Sequence, residues 1–185
     1  WSTLHPEFAF LPRKFKIAIS GAREDRAAIA WHDVGLQLIR SEGEAIHGAP
    51  AGELGFKVLV GGGMGRTPVI ATVIREFLPW NQIMNYLEAV VRVYNRWGRR
   101  DNMYKARIKI LVKAEGQRYV DEVEAEYRQI VDQDGAPHTI PQAELDRVSA
   151  SFVPPRLHRN AKTPDLKVSQ ILRAAAEIDV EFSRW

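Results

Sequence analysis

Residues 55–65 read Gly-Phe-Lys-Val-Leu-Val-Gly-Gly-Gly-Met-Gly, an apolar run that passes directly into a glycine-rich loop. The apolar part predicts a β-strand over 55–60. Glycines leave backbone N–H groups free to bind an anion and let a bulky ligand approach the main chain. The spacing matches neither the dinucleotide-binding pattern nor a Walker loop, which disfavours nucleotide binding. A turn that merely reverses the chain is an equally good interpretation.

Two further strands are predicted before this loop. Basic and apolar residues alternate with period two over 13–20, and a second apolar run covers 32–40. Consecutive strands meet through loops without a helical crossover, so we expect the sheet to be antiparallel here.

Helical periodicity begins after the glycine-rich loop. An amphipathic helix is predicted from about Pro79 to Gly98, followed by helices over 104–113 and 118–130 that hinge at Gly116. The predicted fold class is therefore α+β, a mainly antiparallel sheet with helices packed on one side. We divide the chain into a domain over 1–130, a linker or boundary over 131–166 and a C-terminal helix over 167–185.

Composition narrows the classes of protein. The chain has 185 residues, 45% hydrophobic and 26% charged, which is typical of a globular domain and excludes intrinsic disorder. No apolar run is long enough for a membrane span and no signal peptide is visible, so we expect a cytoplasmic protein without a membrane partner. Cysteine is absent, which excludes disulfides and any cysteine-ligated cluster held by this chain alone.

Charge is unevenly distributed along the chain. Residues 92–113 contain eight basic residues and one acid, Asp101, which indicates a cationic surface available to an anionic ligand. No helix-turn-helix, aromatic RNA-binding pair or zinc finger accompanies this cluster, so nucleic acid is not predicted as a partner. Within the cluster, Arg99 and Arg100 precede a helix that Asp101 or Asn102 can cap. A solvated basic turn is the alternative interpretation.

The basic strand carries two lysines side by side. Alternation points Lys14 and Lys16 to one face, and Arg13 and Phe15 to the other. Like charges on one strand face repel, so this pair indicates either an edge strand exposed to water or an anion bound between the ammonium groups.

The sequence gives little support for a histidine-ligated metal site or a catalytic triad. The five histidines do not fall at metal-ligand spacing, and no Ser-His-Asp arrangement can be identified, so no metal site is predicted. His32 and Asp33 form either a proton-relay pair or, more simply, the turn at the start of a strand.

Several motifs taken in order resemble one family. The resemblance covers about residues 8–130 and is to the sirohaem-dependent sulfite and nitrite reductases. It is carried by Leu-Pro-Arg-Lys-Phe-Lys at 11–16, His-Asp-Val-Gly-Leu at 32–36, Val-Gly-Gly-Gly-Met-Gly at 60–65, Trp-Gly-Arg-Arg at 97–100 and Ala-Arg-Ile-Lys-Ile-Leu-Val at 106–112.

The resemblance implies a function and its cofactors. In that family, sirohaem coupled to a [4Fe–4S] cluster carries out the six-electron reduction of sulfite to sulfide or of nitrite to ammonia. The implied partners are one of these anions and an electron donor, either a ferredoxin or a flavoprotein subunit. Nitrite reductases of the family commonly carry Asn at the position that Lys16 matches, so sulfite is the expected substrate and nitrite the close alternative.

The resemblance also assigns roles to residues. Lys14 and Lys16 match the lysines that hold the substrate oxyanion and favour proton delivery. The residues implied in sirohaem binding are Arg13, Gly61, Gly62, Gly63, Gly65, Arg99 and Arg100.

This sequence departs from the family in one respect. The cluster cysteines lie downstream of the matched region and two further substrate arginines lie upstream, so we expect an internal fragment that is inactive alone. Residues 131–185 match the family poorly. The alternative from a different class is a noncatalytic anion-binding or interaction module that uses the same loop and basic strand.

Overall fold

The computed structural model describes residues 1–153. The β-strands are β1 (Ile17–Ser20), β2 (Val34–Arg40), β3 (Leu54–Val60) and β4 (Thr72–Pro79). The α-helices are α1 (Glu44–His47), α2 (Ile83–Trp97), α3 (Ile108–Glu115), α4 (Gln117–Asp132) and α5 (Gln142–Ser151). Short 3₁₀ helices cover Ser2–Leu4, Pro6–Phe8, Ile29–Trp31, Trp80–Gln82 and Met103–Lys105. The core and the sites lie in the compact unit Trp1–Arg147.

The four strands form one mixed sheet in the order β1-β2-β3-β4. Both β2–β3 and β3–β4 are antiparallel, which confirms the mainly antiparallel α+β class. The expected antiparallel pairing of the first two strands is wrong, because β1 and β2 run parallel with Ile17 opposite Val34. Between them the 3₁₀ helix Ile29–Trp31 provides the crossover that parallel strands require, and Ile29 packs with Leu59 and Ala71.

Strand β4 was not predicted from the sequence. The β3–β4 register shifts twice near Val58, so burial along β4 does not follow a period of two. Phe77 and Leu78 are consecutive and both buried. An irregular pairing of this kind removes the alternation by which a strand is identified.

The first strand is shorter than its alternation predicts. β1 begins at Ile17, and residues 13–16 precede it outside the ladder. Tyr94 Oη donates to the carbonyl of Arg13 at 3.0 Å, and the Lys16 N–H donates to the Asp33 carboxylate at 3.1 Å. Side chains therefore satisfy backbone groups in this segment that a strand partner would otherwise bond.

Helices α2, α3 and α4 pack on one face of the sheet, as predicted. Helix α2 ends at the predicted Gly98, and α3 and α4 hinge at Gly116, whose φ is 54°. The shared core contains Val58 and Val60 of β3 together with buried tyrosines, and Tyr119 Oη donates to the Val90 carbonyl at 3.1 Å. Helix α4 is thereby fixed against α2.

The C-terminal part is described only in its first portion. Helix α5 lies within residues 131–166, where the sequence indicated a linker, and none of its residues is buried. The helix predicted over 167–185 lies outside the described residues. Among the helices of residues 1–153, none has the length and apolar character needed to cross a membrane.

Gly35 of β2 provides a test of the crossover. An added Cβ would lie 2.4 Å from the Ile29 carbonyl oxygen, so we expect Gly35→Ala to lower the free energy of unfolding by about 1–3 kcal/mol. Urea denaturation measures this change. At Gly21 the nearest atom would be 4.0 Å away, so Gly21→Ala is the control. Equal stability of the two variants would contradict the packing described here.

Candidate anion-binding site

A buried carboxylate at the start of β2 organises the site. Asp33 is 1% exposed, and its Oδ1 accepts hydrogen bonds from Arg107 Nη2 at 2.7 Å and Nε at 3.3 Å. Its Oδ2 accepts the bond from the Lys16 backbone, and its carbonyl oxygen accepts the Gly61 N–H at 2.9 Å. Asp33 thus connects the basic segment 13–16, the glycine-rich loop and the N-terminus of α3.

Basic side chains surround this carboxylate. A cavity of about 110 Å³ is lined by Arg13, Lys14, Lys16, Asp33 and Arg107. Four cations against one carboxylate leave a net positive lining, which favours an anionic ligand. Within residues 1–153 neither Lys14 nor Lys16 forms an ion pair, and both are exposed. The structure therefore brings the two predicted lysines to one cavity with their charges uncompensated.

A second cavity of about 240 Å³ shares part of this lining. Its walls include Lys16, Asp33 and Arg107 together with Trp31, and also His32 and Met64. His32 Nδ1 lies 2.8 Å from the Ala28 carbonyl oxygen. This contact favours the turn interpretation for His32, whose ring is held by the backbone.

Residues 61–63 of the glycine-rich loop pack so closely against neighbouring protein atoms that they leave no room for side chains. Residues 61–63 are buried, and a Cβ on Gly62 would lie 2.5 Å from the Ala30 carbonyl oxygen. A Cβ on Gly63 would lie 2.9 Å from Arg107 Nη2. Gly61 and Gly65 have φ values of 91° and 105°, which glycine adopts without strain.

The loop's N–H groups are only partly free, which corrects the sequence-based expectation. Gly61 donates to Asp33, and Gly63 exchanges two hydrogen bonds of 2.9 Å with Val69. In the described part of the chain, the N–H groups of Gly62 and Gly65 have no protein acceptor. Two of the four predicted backbone donors are thus engaged in holding the loop.

Two residues of the basic cluster, Arg107 and Lys109, to which the sequence analysis assigned no role in the site, hold this loop from α3 and the turn before it. Arg107 Nη1 and Lys109 Nζ each donate to the Met64 carbonyl at 3.3 Å, and Lys109 Nζ also donates to the Thr67 carbonyl. Lys109 is 6% exposed, and burial, reinforced by the Arg107 charge, lowers its pKa. The position of Lys109 among the apolar residues of a helix is the feature of the sequence that could have indicated its buried role.

The other predicted arginines do not line either cavity. Arg99 pairs with Asp101 at the surface. Arg100 donates to the Asn95 carbonyl at 2.7 Å and to the Phe10 carbonyl at 3.2 Å, so it caps the end of α2. Arg13 lines the cavity while its Nη1 donates to the Met103 carbonyl at 2.7 Å. Asn102 caps the following 3₁₀ helix, as predicted.

Comparison with known proteins identifies the family. The family model described as "Nitrite and sulphite reductase 4Fe-4S domain" matches residues 1–131. This chain belongs to the nitrite and sulphite reductase family. The resemblance carried by the sequence motifs is thereby confirmed.

Individual members of the nitrite and sulphite reductase family show how much of a whole protein the chain represents. "Sulfite reductase [ferredoxin] 1" of Mycolicibacterium paratuberculosis is 31% identical over 98% of this chain and 32% of its own length. "Sulfite reductase [NADPH] hemoprotein beta-component" of Shewanella sp. (strain W3-18-1) is 30% identical over 66% of this chain and 22% of its own length. The chain thus spans about a fifth to a third of these relatives.

A solved structure of the same family supports the fold. The structure of Mycobacterium tuberculosis NirA protein matches with a TM-score of 0.56 and 31% identity, covering 67% of this chain and 21% of that chain.

The family model ends at residue 131, whereas the Mycolicibacterium relative aligns over 98% of the chain. The expected mismatch beyond residue 130 therefore does not hold for that relative.

The organising role of Asp33 gives a testable prediction. Asp33→Asn removes a buried charge that accepts two bonds from Arg107, so we expect the free energy of unfolding to fall by about 1.5–3 kcal/mol. Urea denaturation measures the change. The control is Asp101→Asn, which breaks an exposed pair and should leave stability unchanged within error. Similar losses in both variants would argue against a special role for Asp33.

Proposed function

We propose that this chain is the part of a sirohaem and [4Fe–4S] sulfite reductase that holds the substrate anion and part of the sirohaem periphery. The observation that carries the proposal is the positively lined cavity in which Lys14 and Lys16 stand without ion-pair partners in the described chain, next to the glycine-rich loop. Family membership and the names of the sulfite reductase relatives support it.

The lysines are suited to a small oxyanion. Each Nζ donates up to three hydrogen bonds and carries a full positive charge, so together they attract an anion and orient its oxygens. Asp33 neutralises Arg107 and holds the Lys16 backbone, which fixes the segment without pairing either lysine side chain. Preorganised charges of this kind are most effective where charge develops during a reaction.

Proton supply follows from the same groups. Removing oxygen from sulfite or nitrite requires protons at the departing oxygen atoms, and an ammonium group hydrogen-bonded to that oxygen can deliver one. We assign this role to Nζ of Lys14 and Lys16. Their exposure allows water to reprotonate the amines between steps.

The residues present also fit a sirohaem, whose periphery carries many carboxylates. Arg13 and the N–H groups of Gly62 and Gly65 are the donors that we assign to those carboxylates, and at Gly65 nothing lies within 4 Å of the position that a Cβ would take. When bound, sirohaem would pass to the substrate the electrons that come from the electron donor. Arg99 and Arg100 stay proposed as peripheral contacts, although the structure engages them with Asp101 and the end of α2.

The remaining parts of the enzyme come from other residues. The chain contains no cysteine, so the ligands of the [4Fe–4S] cluster must lie outside it. We propose that the electron donor is a ferredoxin or a flavoprotein subunit, since the names of the relatives specify ferredoxin in one and NADPH in another.

Removing either lysine tests the proposed function. In the full-length enzyme, we expect Lys14→Ala and Lys16→Ala each to lower kcat for sulfite by roughly 10²–10³-fold, because each removes a preorganised charge from the reacting site. Steady-state assays with a chemical electron donor measure kcat, and the visible spectrum reports sirohaem content.

A matched control separates catalysis from general charge loss. Lys57 of β3 pairs with Glu76 at 2.8 Å and lines neither cavity, so Lys57→Ala should keep full turnover. Near-normal turnover of both site variants would show that the lysines are solvent-exposed residues without a catalytic role, and would favour a noncatalytic anion-binding module.

Substrate choice depends on Lys16 in this proposal. Near neutral pH sulfite is present in part as a dianion whereas nitrite is a monoanion, so a second ammonium group attracts sulfite more strongly. We expect the wild-type enzyme to favour sulfite in kcat/KM. Lys16→Asn keeps a hydrogen-bond donor and removes one charge, so the ratio of kcat/KM values should shift partly towards nitrite.

Measuring kcat/KM for both anions in both proteins decides this point, with Lys57→Asn as the control. A wild type that prefers nitrite, or a ratio that Lys16→Asn does not change, would show that this charge does not set the preference.

A further inference from the structure

A second group of titratable side chains lies outside the anion-binding site. His5 precedes a short 3₁₀ helix, Glu88 belongs to α2, and His138 follows α4. Their potential ligand atoms all lie within 4.8 Å of one another. His138 Nε2 is 2.7 Å from Glu88 Oε2, and His5 Nε2 is 3.4 Å from Glu88 Oε1. Ligand atoms around a tetrahedral zinc ion are about 3.3 Å apart, so these spacings need little adjustment.

The carboxylate at the centre is incompletely satisfied. Glu88 is 2% exposed, and its Oε2 has no hydrogen bond of acceptable geometry in spite of the short distance to His138. Arg92 Nη2 binds the other oxygen, Oε1, at 2.7 Å. A buried carboxylate oxygen without a donor is costly, and a metal ion is one group that can satisfy it.

Charge around Glu88 also favours a cation. The ion-pair network contains five carboxylates and two guanidinium groups, so these seven groups carry a net charge of −3. Its acids are Glu7, Glu88, Glu122, Glu126 and Asp134, and its bases are Arg92 and Arg96.

We propose that His5, Glu88 and His138 bind a divalent first-row transition metal ion, with zinc as the best match. Two imidazoles and one carboxylate form a ligand set that zinc accepts, with a fourth position left for water. The His138 side chain is 32% exposed, which provides access from solvent. An imidazole that binds a metal ion through Nε2 carries its proton on Nδ1. Binding through His5 Nε2 therefore breaks the exposed 3.2 Å hydrogen bond from the Glu7 N–H to His5 Nδ1, and water can take the place of that acceptor.

The ion would join three parts of the chain that are distant in sequence. Trp1 packs edge-on against His5, Phe8 and His138 at centroid distances of 5.6–6.3 Å, and His5 stacks on Phe8. These rings hold the imidazoles in place and form an apolar wall beside the site. A metal there links the N-terminal segment to α2 and to the loop after α4. The inference rests on these contacts and not on the proposed function.

The test measures zinc in the full-length protein. After chelator treatment and equilibrium dialysis against micromolar Zn²⁺, we expect the wild type to hold one more zinc ion per chain than His5→Gln or His138→Gln. Loss of a ligand should weaken binding by more than about 100-fold. His47 lies outside the cluster, so His47→Gln should bind as the wild type does.

Two further readouts make the outcome decisive. Added zinc should raise the midpoint of thermal unfolding in the wild type and in His47→Gln, but not in the two cluster variants. Zinc X-ray absorption of the wild type should show imidazole nitrogen and carboxylate oxygen at this site. Equal zinc content in all four proteins, or a wild-type spectrum without imidazole ligands, would overturn the proposal.

Discussion

The buried Asp33 carboxylate is the constraint on which the site depends. A charge that is 1% exposed must be compensated, and its partners come from the Arg107 side chain and the Lys16 backbone, while its own carbonyl holds Gly61. Asp33 therefore holds the basic segment, the glycine-rich loop and the start of α3 together. The parallel pairing of β1 with β2 follows the same geometry, because the Lys16 carbonyl also accepts the Val34 N–H at 3.0 Å.

This arrangement explains how the fold accommodates several basic side chains close together. Arg107 is paired with Asp33, Lys109 is bound to loop carbonyls, and Arg13 reaches the Met103 carbonyl, so these three are held by the protein itself. Lys14 and Lys16 have no such partners in residues 1–153. The glycines contribute chiefly by their small size, since Gly61 and Gly63 use their N–H groups within the fold. The ammonium groups of Lys14 and Lys16 are therefore the charges available to a ligand.

The described chain contains two polar networks of opposite sign. The network at Asp33 has more cations than carboxylates, whereas the one at Glu88 has more carboxylates than guanidinium groups. Helix α2 carries Glu88, Arg92 and Arg96 on the side that faces α4, and its Tyr94 hydroxyl reaches the Arg13 carbonyl. Burial raises the pKa of Tyr94 to about 12, so this hydroxyl stays protonated and can donate. One helix thus supports both networks.

The sequence by itself determined helices α2, α3 and α4, strands β2 and β3, the family and the pair of lysines, because these depend on local periodicity and on motifs that are contiguous in the chain. Only the tertiary structure decided the rest. Residues 21–33 connect the parallel strands β1 and β2 with a single 3₁₀ turn and no α-helix, and the register shifts of β4 remove the alternation that would have predicted it. Asp33 was read as a turn residue because its partner Arg107 is far away in the sequence. His5 and His138 likewise meet at Glu88 only after folding, since ligand spacing along the chain reveals a site only when its ligands are neighbours in sequence.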